Sequence, residues 1–84
     1  MNHELVFDNH GVTCKVIASA FPTGNMFGLA LVHLCDGQMT PNIVCSNLEI
    51  GNVNGELVGE WGHGHYFQSV FDAKKYFAER LMEF

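Results

Sequence analysis

Turn-forming clusters cut the N-terminal two thirds of this 84-residue chain into pieces of strand length, and that spacing constrains the fold more than any other feature. Asn9-His10-Gly11, Pro22-Thr23-Gly24-Asn25, Asp36-Gly37, Thr40-Pro41-Asn42 and Asn52-Val53-Asn54-Gly55 follow one another with short apolar runs between them. Gly and Asn tolerate the left-handed backbone that tight hairpins need, and Pro presets a turn. The runs predict strands near 4–8, 12–20, 26–35, 42–50 and 56–61. Connections this short suit antiparallel neighbours, because a parallel crossover takes about a dozen residues or more.

The period changes after Gly64. Val70, Ala73, Phe77, Leu81 and Phe84 fall on one stripe of a helix. Ser69 is a suitable N-cap, with Asp72 three residues on. Lys74, Lys75, Glu79, Arg80 and Glu83 fill the solvent side, and Phe71, Tyr76 and Met82 widen the apolar arc. Nothing else in the chain can cover this stripe, so the helix is expected to lie on the sheet. The predicted architecture is α+β: an antiparallel sheet of about five strands with one C-terminal helix packed on one face, in a single domain over residues 1–84.

Alternation along the strands assigns faces. A two-residue turn at Asn54-Gly55 pairs Val53 with Glu56, Ile50 with Gly59, Glu49 with Glu60 and Leu48 with Trp61. One face then carries Val44, Leu48, Ile50, Leu57 and Trp61 and is expected to meet the helix. The other carries Cys45, Asn47, Glu49, Glu56, Val58 and Glu60 and is expected to be solvated and acidic. Segment 26–35 is apolar on both sides, with Phe27, Leu29 and Leu31 opposed to Met26, Ala30, Val32 and Leu34. One helix covers one face, so either a second copy of the chain in a homodimer or a strongly curled sheet must cover the other.

Charge narrows the function. Lys plus Arg number 4 against 9 Asp plus Glu, a formal charge of −5, which leaves few cations to neutralise phosphates. Direct nucleic-acid binding is therefore not expected. Met1-Asn2-His3-Glu4 lacks a basic leader, and Met26–Val32, the longest apolar run, falls short of a bilayer crossing. Neither a signal peptide nor a membrane span is expected. Cys14, Cys35 and Cys45 are odd in number and widely spaced, which suits reduced thiols in the cytoplasm.

Catalytic motifs are sparse. Gly62-His63-Gly64-His65 places two imidazoles on one side of a strand, where both could face a transition metal, but a zinc site needs three or four ligands. The glycines also suit a turn from the last strand into the helix. The cysteines sit among apolar neighbours, as structural thiols do. No nucleophile elbow, phosphate loop or dinucleotide fingerprint occurs. The expectation is a small acidic non-catalytic binding protein, an accessory subunit or inhibitor, with no cofactor or metal. It would act on another protein, a basic nucleic-acid-handling one being the type that fits, through Glu49, Glu56 and Glu60. The alternative is a transition-metal- or thiol-dependent enzyme using His63, His65 and a cysteine.

Overall fold

The computed structural model describes residues 5–35 and 37–83. The first strand position at Glu4, the turn residue Asp36 and the last stripe residue Phe84 lie outside the described residues. Strands β1 (Leu5–Asn9), β2 (Val12–Thr23), β3 (Met26–Leu34), β4 (Asn42–Val53), β5 (Glu56–Glu60) and β6 (Gly64–Phe67) precede helix α1 (Val70–Glu83). Three two-residue loops set the hairpins. His10-Gly11 and Asn54-Gly55 hold positive φ at both positions, as a type I′ turn requires, and between Thr23 and Met26 only Gly24 does.

The first five strands close into a barrel. Each pairs antiparallel with the next, and β5 returns to β1 through a parallel bridge between Asp8 and Val58. The purely antiparallel sheet expected from the short turns is thus corrected by counting. In an up-and-down chain the first and fifth strands point the same way, so closing an odd barrel makes one parallel seam. Asn9 donates from Nδ2 to the Gly59 carbonyl across that seam at 2.8 Å.

Closure also settles what covers the second apolar face. Phe7, Cys14, Ala30, Val32, Ile43, Cys45 and Leu48 pack together inside the barrel, with Ile50, Leu57 and Trp61 against them. Ala30 and Val32, offered above as part of a patch for a second copy, are buried in this interior. The sheet curls over its own second face.

The helix packs outside. Leu29, Leu31 and Val44 meet Ala73 and Phe77, flanked by Phe67 and Tyr76. The face holding Leu48, Ile50, Leu57 and Trp61 is therefore the barrel lining and not the helix platform. Ser69 caps α1 as expected, its Oγ accepting from the Asp72 amide at 3.3 Å. Two residues of the predicted stripe that flank this centre are exposed, Val70 at 44% and Leu81 at 36%.

Two departures from strict alternation place these faces. Phe27 packs inward and Leu29 outward although they are two residues apart, and Gly28 lies between them. Directly across, Asn47 takes φ 54° between outward Ser46 and inward Leu48. The slip moves Val44 outward and Cys45 inward, reversing the expected assignment of both. Met26 pairs with Glu49 and so shares its outer face.

The predicted strands stop at residue 61, and the glycines of Gly62-His63-Gly64-His65 suit a turn into the helix, yet Gly64–Phe67 forms strand β6. It prolongs the β5 register along β4, since Glu49 faces Glu60 and Cys45 faces Gly64. At the slip, the Ser46 amide donates to the His63 carbonyl at 2.9 Å and the Gly62 amide to the Ser46 carbonyl at 3.0 Å. Buried Asn42 then ties β6 to the helix, donating from Nδ2 to the Gln68 carbonyl at 3.2 Å while its Oδ1 lies 2.9 Å from Nδ1 of His33.

Candidate functional site

The barrel interior is packed with apolar side chains, and the strand-borne charges lie on its outside. Among the described residues every carboxylate carried by a strand points outward on β1, β4 or β5: Asp8, Glu49, Glu56 and Glu60. Their inward neighbours are Phe7, Leu48, Ile50 and Leu57, so burial of the apolar set forces the acids out. Glu49 and Glu60 stand directly opposite each other, as the Asn54-Gly55 turn predicts.

Asp8, Glu49 and Glu60 border one hollow of about 370 Å³ floored by Gly51 and Gly59. Glu56 faces Val53 at the hairpin end and lies outside this hollow. Asp8 joins the set only because the barrel closes, and it was not foreseen. One of its oxygens also accepts from the Gly11 amide at 3.0 Å, which fixes the β1–β2 turn. His10 reaches across the seam to Glu60, with Nε2 at 3.3 Å from Oε1, both side chains being largely exposed. A contact so exposed contributes little and leaves the Glu60 carboxylate open to other partners.

The two floor glycines differ. A Cβ on Gly59 would collide with the Phe7 ring, so the core demands glycine there. A Cβ on Gly51 would meet nothing within 4 Å, and its φ is not in the left-handed region. A strand glycine without such a need leaves open backbone for a partner to approach.

His63 and His65 come together elsewhere. They line a cleft of about 290 Å³ between α1 and strands β4 and β6, with Ser46, Leu29, Val44 and Cys45 beneath and Arg80 at its side. The His65 ring leans on Tyr76 at a centroid distance of 4.9 Å, and Tyr76 in turn meets Phe67 at 5.5 Å. Cys45 borders the cleft but packs in the barrel interior. Burial there pushes its thiol up from the usual 9.0 to about 12, and the nearby Cys14 adds to the rise. A thiol held protonated is neither a nucleophile nor a ready metal ligand at neutral pH. Among the described residues no three His, Cys, Asp or Glu side chains are grouped to hold a metal ion.

No protein-family model, curated protein or solved structure matches this chain. The functional reading therefore rests on geometry. Among the described residues no helix is long and apolar enough to cross a membrane.

Proposed function

We propose that this protein is a non-catalytic binding module whose working surface is the acidic outer face of β1, β4 and β5. The observation that carries the reading is the gathering of Asp8, Glu49, Glu56 and Glu60 on one side of a closed barrel. Like charges opposed across a strand pair cost stability, and a cationic partner would offset that cost. The partner class is a protein with a basic surface, of the kind that handles nucleic acid, and the module acts as its accessory subunit or inhibitor. A cytoplasmic setting suits Cys14 and Cys45, which serve as buried core thiols. The strand residues offered for a homodimer are largely interior, so this reading requires no second copy.

The enzyme alternative, His63 and His65 with a cysteine, is the weaker one, because among the described residues the one cysteine bordering their cleft is Cys45, which is held as a protonated core thiol. The test is association kinetics with a polylysine or polyarginine probe across a salt series. The triple substitution Glu49→Gln, Glu56→Gln and Glu60→Gln is expected to slow association and flatten its salt dependence, since charge steering acts on the on-rate. Unchanged kinetics in the triple variant would overturn the reading.

A further inference from the structure

The cleft between α1 and strands β4 and β6 plays no part in that acidic face, and its chemistry has the opposite sign. The chain has only 4 Lys and Arg and 5 His, yet one guanidinium and two imidazoles line this single cleft. None of its lining residues is a carboxylate. The donors come from separate elements: Arg80 from the helix, His63 from the β5–β6 link, His65 from β6 and Ser46 from β4. Leu29 and Val44 give an apolar floor.

Local packing explains why the space stays open. Tyr76 leans toward β6 against His65 and Phe67, while Ala73 and Phe77 fill the gap over Leu29, Leu31 and Val44. Arg80 follows Tyr76 by four residues, so it hangs over the same side of the helix one turn on. Beneath it lie Ser46 and the buried side chains of Leu29, Val44 and Cys45, and none of these fills the cleft.

We propose that this cleft binds a phosphate group. A tetrahedral oxyanion offers oxygens in several directions, which suits donors arriving from several elements, whereas a planar carboxylate offers two. Guanidinium is the side chain best matched to phosphate oxygens, and imidazole and hydroxyl groups complete such a set. A transition metal suits the cleft less, because a guanidinium repels a cation and the adjoining thiol is held protonated. Arg80 now pairs with Glu83 at 3.1 Å, an exposed i,i+3 contact that an incoming phosphate would displace. The apolar floor favours a phosphomonoester over the free ion, since it can receive the organic substituent.

Nuclear magnetic resonance titration at constant ionic strength tests this, with inorganic phosphate in one arm and phenyl phosphate in the other. Saturable shifts of the His63 and His65 ring signals are expected, with phenyl phosphate the tighter ligand. Arg80→Gln should weaken binding at least about tenfold, the value of one lost charge-assisted hydrogen bond. Glu83→Gln should tighten it by removing one carboxylate that competes with the phosphate for Arg80, and this change leaves the packed face of the helix untouched. Equal binding of both probes would assign the site to free phosphate and overturn the preference for an ester. No saturable shift into the tens of millimolar, or equal binding by parent, Arg80→Gln and Glu83→Gln, would overturn the site itself. The acidic face shares no residue with this cleft, so its reading stands or falls separately.

Discussion

The ring of Phe7 occupies the space that a side chain at position 59 would fill: a Cβ built on Gly59 would stand 2.5 Å from Cδ2 and 2.7 Å from Cε2 of that ring. Phe7 is 2% exposed and rests edge-on to Trp61 at a centroid distance of 6.4 Å, so it has no room to retreat. Gly59→Ala should therefore destabilise by about 1–3 kcal/mol, the usual cost of overpacking a filled core. A denaturant midpoint equal to the parent's would contradict this packing. Gly51→Ala is the matched control. With open space above Gly51, it should hold stability or raise it by about 0.4–1 kcal/mol through the unfolded chain.

Glu49 and Glu60 repel each other directly, while Glu60 also meets His10. Removing the charge of Glu49 alone keeps the His10 contact. Glu49→Gln should leave the fold intact and raise stability by roughly 0.2–1 kcal/mol at low salt. Added salt should erase the gain, which thermal melts at two ionic strengths would show.

The helix should prove energetically uneven. Phe77 is buried against Leu29, Leu31 and Val44, so Phe77→Ala should cost about 3–5 kcal/mol. Phe71 is 74% exposed and Met82 88%, so replacing either with Ala should change stability by about 0.5 kcal/mol or less. Comparable losses at Phe71 and Phe77 would mean that the helix packs by a different side.

Thiol accessibility gives a separate check. Cys35 is exposed and Cys14 and Cys45 are buried, so a disulfide reagent should modify one thiol rapidly in the native protein and the other two on unfolding. Cys45 also links stability to alkaline pH. Its pKa is higher in the folded state, so the unfolded chain loses that proton first as pH rises. The stability tied to Cys45 is fully present below pH 9.0 and declines as pH climbs toward about 12. Cys45→Ser should blunt that alkaline decline in a pH series of denaturant midpoints.

What could be read from the residues was local. The Asn54-Gly55 turn fixes its own register, so Glu49 opposite Glu60 was legible before any coordinates. Ser69 and the spacing of Ala73 and Phe77 likewise marked the helix and its buried centre. Val70 and Leu81 share that spacing but stay exposed, and no periodicity shows where the platform beneath a helix ends. Alternation failed at Gly28 and Asn47, where paired slips turn Val44 outward and Cys45 inward. β6 was missed among the predicted strands because Gly62 and Gly64 weaken the strand signal ahead of Tyr66 and Phe67; its pairing comes from a register set at the hairpin. Asp8 and His10 joined the acidic hollow from the far end of the chain, which only closure could bring there.

The seam between β1 and β5 also governs how this chain avoids sticking to itself. Asn9 and Gly59 meet across a separation of 50 residues, so the contact can form only after a long loop has been drawn in. Before that moment, β1 and β5 are two bare strand borders with unpaired amides and carbonyls, the template on which fibrils and exchanged dimers grow. Closure uses each border to silence the other. Loosening the seam, even without melting the barrel, would expose both at once, and aggregation would then report its opening before any loss of helix.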